Sequence, residues 1–231
     1  VIVLLNDGSG AFAIGWYTIL WPGHLTTGES LSIGDLNGDS VPDLVVCDAV
    51  VNGGFDQAGR VWALMGRGDG TFEERTSYPL SGLIPKHSAI ADLDGDGDRD
   101  VAVWSCEVYP GNDQTPVDRR IVLFRNDGTG GLSEAGQLVL DTVPYPFPLG
   151  SVTAADWDLD GNVDLAGTAG SNSSPGTLVV FQNSGAWAFV GGQSFSTPPA
   201  PLNLLAEDID RDGWKDLILT MASGWNVKRE Y

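Results

Sequence analysis

The sequence is poor in positive charge. Its 231 residues hold 12 Lys and Arg against 31 Asp and Glu, a formal net charge of −19. So acidic a chain repels phosphate, which must be neutralised by cations to be bound, and this argues against nucleic acid and anionic membrane as partners. Histidine is nearly absent, with only His24 and His87. No Ser-His-Asp or Cys-His set is readable, so the chain reads as noncatalytic. Cysteine is limited to Cys47 and Cys106, too few for a disulfide-stapled scaffold. No apolar run reaches the roughly 18 residues that a membrane span requires. No stretch carries a helical period, and no linker separates domains.

Glycine (31) and proline (13) are plentiful, and 42% of residues are apolar. That combination favours many short strands and turns around a sizeable core.

The strongest feature is repetition. Four acidic segments align, with leading aspartates Asp35, Asp92, Asp156 and Asp208. Between them alternate four segments of a second kind, Val1–Phe12, Val61–Phe72, Ile121–Leu132 and Leu178–Phe189. Each of these is an apolar strand, a turn rich in Asn, Asp and Gly, and a returning strand, the chemistry of a tight hairpin. The acidic segments also read as hairpins, with an apolar strand on either side of the charged loop. Two hairpins per period give four strands per period. Four-stranded sheets repeated at about 50 residues are the blades of a β-propeller. The expected fold class is therefore all-β, a propeller of four-stranded antiparallel blades. Residues 1–231 form a single propeller domain or a fragment of one, with half a blade at each end. Either the two halves join to close a ring, or the array continues into further blades or copies.

Carboxylates and amides occupy the first, third, fifth and ninth positions of every acidic loop. They are Asp35, Asn37, Asp39 and Asp43; Asp92, Asp94, Asp96 and Asp100; Asp156, Asp158, Asp160 and Asp164; and Asp208, Asp210, Asp212 and Asp216. Like charges at that density repel unless a cation sits among them. Hard oxygen donors on a flexible loop suit Ca²⁺ better than Mg²⁺, which demands a tighter octahedron. By analogy with other Asp-rich loops the seventh position offers a backbone carbonyl, from Val41, Asp98, Asn162 and Trp214. The sixth position is Gly97, Gly161 or Gly213, with Ser40 in the first loop, which suits a sharp turn. The EF-hand is excluded, because the twelfth position is Val46, Val103, Gly167 or Leu219 rather than Glu, and the flanks are strands.

These loops, each followed by an apolar strand, resemble the VCBS/FG-GAP repeats of integrin α-chain propellers, some lectins and certain polysaccharide lyases. The resemblance implies rings of seven or eight blades, structural Ca²⁺ at about four sites here, and an extracellular, secreted or cell-surface location. At millimolar Ca²⁺, extracellular-type sites would each stabilise the fold by about 1–2 kcal/mol through mass action.

The connections at the opposite end of the blades are longer and rich in proline and aromatics. Trp21, His24, Phe55, Tyr109, Tyr145 and Phe147 lie there and form a candidate platform for a protein or glycan ligand. The functional expectation is a calcium-stabilised binding or adhesion module. A carbohydrate-binding lectin is the first alternative and a polysaccharide-degrading propeller enzyme the second. Cys47 and Cys106 follow the second strand of successive acidic hairpins, which leaves open either a bond between neighbouring blades or two buried thiols.

Overall fold

The computed structural model describes residues 1–20, 26–52, 55–73, 76–107, 116–144, 149–171 and 175–222. These residues are all-β, with no helix among them. Strands β1 (Ile2–Asn6) and β2 (Phe12–Tyr17) form a two-stranded sheet. Three four-stranded antiparallel meanders follow. The first comprises β3 (Thr26–Gly34), β4 (Asp43–Asn52), β5 (Phe55–Leu64) and β6 (Thr76–Leu80). The second comprises β7 (Leu83–Ala91), β8 (Asp100–Glu107), β9 (Pro116–Asn126) and β10 (Leu132–Pro144). The third comprises β11 (Val152–Ala155), β12 (Asp164–Ala169), β13 (Pro175–Asn183) and β14 (Phe189–Pro199). The last sheet is again two-stranded, β15 (Pro201–Glu207) with β16 (Asp216–Met221).

Each meander is thus an acidic hairpin followed by a turn hairpin, as the repeat pattern predicts. The register is the same in all four acidic hairpins. The residue before the leading aspartate faces the ninth-position aspartate: Gly34 opposite Asp43, Ala91 opposite Asp100, Ala155 opposite Asp164, and Glu207 opposite Asp216. The turn hairpins close alike, with Asn6 opposite Phe12, Asn126 opposite Leu132 and Asn183 opposite Phe189.

The second strand of each meander is buried on both faces, which explains its unbroken apolar run. Along β8 the side chains alternate between two cores. Val101 and Val103 join Val45, Cys47, Val61 and Phe124 on one side. Ala102, Trp104 and Cys106 join Ile121, Leu165 and Phe181 on the other. The sheets therefore stack face to face in chain order. A third core, Leu44, Val46, Trp62 and Leu64 with Trp16 and Phe72, seats the β1–β2 hairpin on the first meander. The first strands β3, β7, β11 and β15 contact one another in succession.

Among the described residues no sheet closes on itself. The terminal hairpins stay in separate two-stranded sheets, so the ring that would join them is not formed. Both carry exposed apolar side chains, including Ile2, Phe12, Ile14 and Tyr17 on the first and Leu205 and Met221 on the last. An apolar strand buries only the face that a neighbouring sheet covers, and among the described residues each end of the stack has one neighbouring sheet.

Cys47 and Cys106 are buried thiols, not joined in a disulfide. Of the two arrangements open from sequence, the structure has the thiols. They lie in different cores. Each faces the sheet that follows its own in the stack, so one whole sheet separates them.

Candidate metal centres in the acidic loops

Each acidic loop is a run of side-chain-to-backbone turns. In the second, the Asp92 carboxylate accepts the Gly95 N–H at 2.8 Å and the Gly97 N–H at 3.0 Å. Asp94 accepts from the Asp96 N–H at 3.1 Å, and Asp96 from the Asp98 N–H at 3.0 Å. The other loops repeat the scheme. Asp35 accepts from Gly38 and Ser40, and Asp39 from Val41. Asp156 accepts from Gly161 and Asp160 from Asn162. Asp208 accepts from Gly213 and Asp212 from Trp214. The curl demands left-handed backbone at the sixth position, where φ is 67° at Ser40, 95° at Gly97, 92° at Gly161 and 98° at Gly213. It demands the same at the fourth position, with 73° at Gly38, 79° at Gly95, 57° at Leu159 and 65° at Arg211. Sequence reading anticipated the sixth position and missed the fourth.

The ninth-position aspartate anchors the loop from below. In the three complete sheets it is buried and takes one N–H on each oxygen. Asp43 accepts from Leu36 and Gly66, both at 2.7 Å. Asp100 accepts from Leu93 and Asn126, both at 2.9 Å. Asp164 accepts from Trp157 at 3.2 Å and Asn183 at 2.8 Å. Burial pushes the Asp100 carboxyl up to about 6 despite these donors, and raises Asp164 for the same reason.

Carboxylate oxygens converge to within 4.8 Å in three of the loops: Asp92, Asp94 and Asp96; Asp156, Asp158 and Asp164; and Asp208, Asp210 and Asp216. Each trio could hold a metal ion. The donors are all hard oxygens, the set that a cation such as Ca²⁺ takes. Loop three supplies a further sign of fit, because Asp156 Oδ1 is buried without a hydrogen-bond partner. Such an orphaned acceptor is costly unless something binds it. In the first loop no such trio forms among the described residues. There Asn37 stands at the third position, and its Nδ2 donates to Asp39 Oδ2 at 3.0 Å. The trios leave out Asp100 of the second loop, and Asp160 and Asp212 of the third and fourth. The seventh-position residues Val41, Asp98, Asn162 and Trp214 contribute N–H donors to the fifth-position carboxylates.

Side chains outside the loops act on them, four of them on the first two loops and their junctions with the next sheet. Asn126 and Asn183, at the ends of β9 and β13, hold the acidic loops of two sheets together. Arg125 pairs with Asp94 at 3.0 Å and Asp96 at 3.1 Å. Trp187, from the turn of the third meander, donates its indole N–H to Asp94 Oδ2 at 2.9 Å. The asparagines were visible in the sequence as turn formers; nothing marked the other two.

Of the candidate ligand platform, Trp21, His24, Tyr109, Tyr145 and Phe147 lie outside the described residues, as does the Phe55 side chain. The Phe55 backbone pairs with Asn52 in the first meander.

Residues 47–103 match the family of the FG-GAP-like repeat. That segment spans about one period, from β4 to β8, and includes the whole second acidic loop. The resemblance to FG-GAP-type repeats is supported there. No curated protein matches the chain.

Proposed function

We propose that the chain is a calcium-stabilised β-propeller array of the extracellular space, a single domain that works as a binding or adhesion module rather than an enzyme. The observation that carries this reading is the common register of four acidic hairpins, three in stacked four-stranded sheets and the fourth in the two-stranded last sheet. Repeats that place acidic loops at the same point of four successive sheets suit a shared kind of ion site rather than scattered solvated turns. The FG-GAP-like match and the buried, partnerless Asp156 Oδ1 support it further. Among the described residues no helix is long and apolar enough to cross a membrane.

In this reading the ion neutralises each loop and fixes the first turn of each sheet. The connections at the opposite end, with Trp21, His24, Phe55, Tyr109, Tyr145 and Phe147, meet a protein or glycan. Residues that bind stay on loops while the sheets hold them in place. The test is a thermal melt in millimolar Ca²⁺ and in EDTA, with a glycan array probed in both buffers. A melting temperature several degrees lower in EDTA supports structural calcium. Glycan binding lost in EDTA would make the module a lectin, and no glycan binding would leave a protein partner. A melt indifferent to EDTA would sink the calcium reading.

A further inference from the structure

In the second and third meanders the residue just before the turn asparagine, on the third strand, reaches the third position of the acidic loop. In the second meander it is Arg125, whose Nη2 lies 3.0 Å from Asp94 Oδ2 and 3.1 Å from Asp96 Oδ2. In the third it is Gln182, whose Nε2 lies 3.3 Å from Asp158 Oδ2. In the first, where Gly66 stands in place of the asparagine, the equivalent residue is Met65, which packs against the core between the first two sheets and has no charge to offer. One position of the repeat thus presents a cation to the second loop and a neutral amide to the third, loops that otherwise share a design.

We infer that Arg125 is a built-in competitor for the divalent ion at the second loop, which makes that loop the weaker of two adjacent sites, with loop three under neutral Gln182 the tighter. The inference rests on the metal reading of the acidic loops. Its physical basis is that Arg125 and an ion would be drawn to the same carboxylates. Asp94 Oδ2 already pairs with the Arg125 guanidinium and takes the Trp187 indole N–H, while its Oδ1 takes the Asp96 N–H. An ion using Asp94 and Asp96 must displace a positive charge or bind beside one. Arg125 is half exposed and lines an open recess with Asp98, Asp127 and Ser133, so its side chain has room to swing away. The same charge holds the loop together when metal is scarce. The second loop is therefore stabilised by Arg125 at low calcium and by the ion at high calcium.

The experiment is a Ca²⁺ titration by calorimetry, with Tb³⁺ as a luminescent probe excited through tryptophan. Signal from loop two is assigned by its loss in Trp187→Phe. Arg125→Gln should tighten the loop-two site by roughly tenfold, the effect of removing one charge near a doubly charged ion at a hydrated surface. Arg125→Lys should leave it weak, and Gln182→Arg should weaken loop three. In EDTA, Arg125→Gln should melt below the parent protein. Equal affinities for parent, Arg125→Gln and Arg125→Lys would overturn the inference while leaving the metal reading intact. Absence of Ca²⁺ and Tb³⁺ binding in every variant would overturn the metal reading and this inference with it.

Discussion

The Asn126 side chain donates to the Leu36 carbonyl at 2.6 Å, across the boundary between two sheets and over 90 residues of sequence. Asn183 repeats the bond to Leu93 at 2.8 Å, again over 90 residues. Each amide also donates within its own sheet, Asn126 to Arg99 at 2.8 Å and Asn183 to Val163 at 2.9 Å. The carbonyl oxygen of Asn126 accepts from Gly128 and Gly130 in the turn. One side chain therefore ties together a hairpin turn, the acidic loop of its own sheet and that of the sheet before it. Stacked sheets gain their relative orientation at this end from these bonds as well as from the cores.

Replacing that amide should destabilise the fold without touching a loop carboxylate. Asn126→Ala leaves two carbonyls without their donor, and each buried orphan costs about 1–3 kcal/mol. Asn126→Asp should be worse, since a carboxylate would face the same two carbonyl oxygens. Urea denaturation in EDTA measures both. A midpoint unchanged by Asn126→Ala would show that the bond to Leu36 contributes nothing to the stack.

The ninth-position aspartates provide an internal comparison. Asp43, Asp100 and Asp164 are at most 1% exposed and accept two N–H groups each. Asp216, in the two-stranded last sheet, is exposed and accepts from Ile209 at 3.0 Å. An Asn at these sites keeps one acceptor and turns the other oxygen into a donor facing a donor. Asp100→Asn and Asp164→Asn should therefore each cost about 1–3 kcal/mol in EDTA. Asp216→Asn should stay within about 0.5 kcal/mol, as exposed substitutions do. Equal losses in all three variants would mean that Asp216 is held as the others are.

Much of this arrangement was legible in the sequence because its causes are local. The hairpin turns follow from the Asn-Asp-Gly runs, and the buried second strands from apolar runs such as Val101–Cys106. What was hidden depends on register between segments. Arg125 and Gln182 read as ordinary strand residues until the third strand is laid beside the acidic loop. The thiols were ambiguous for a similar reason. Cys47 lies four residues beyond Asp43 and Cys106 six beyond Asp100, both even offsets, so each points toward the following sheet and neither can meet the other. The fourth loop position escaped notice because Leu159 and Arg211 are not residues that advertise left-handed backbone.

That position makes its own prediction. Gly38 and Gly95 adopt positive φ there without strain, whereas Leu159 at 57° and Arg211 at 65° bring a Cβ against the following carbonyl. Such strain costs roughly 1–2 kcal/mol per residue. Leu159 is 55% exposed, so its side chain contributes little packing. Leu159→Gly relieves the strain but adds freedom to the unfolded chain, which takes back part of the gain. The net expectation is a stabilisation of about 0.5–1 kcal/mol, with the same direction for Ser40→Gly at the sixth position of the first loop. A lower urea midpoint in both variants would mean that these side chains have contacts worth more than the strain.

The buried thiols should be chemically silent in the folded protein. Burial pushes the Cys47 thiol from 9.0 up to about 11, and only the thiolate reacts with alkylating or disulfide reagents. The sign follows directly. Over the range from pH 7 to 9 the raised value keeps the group protonated, so its thiolate fraction falls about a hundredfold below that of an ordinary cysteine. Cys106 is 1% exposed and its Sγ lies 3.9 Å from the Ile84 carbonyl, so reagent has no path to it either. Iodoacetamide at pH 8 should leave the native mass unchanged, and in urea it should add two carbamidomethyl groups. Labelling of the native protein should speed up only as urea approaches the unfolding midpoint. Alkylation of either cysteine at the rate of a free thiol in native buffer would contradict its placement in the core. Failure to label in urea without a reductant, restored by one, would show that the two sulfurs are joined after all.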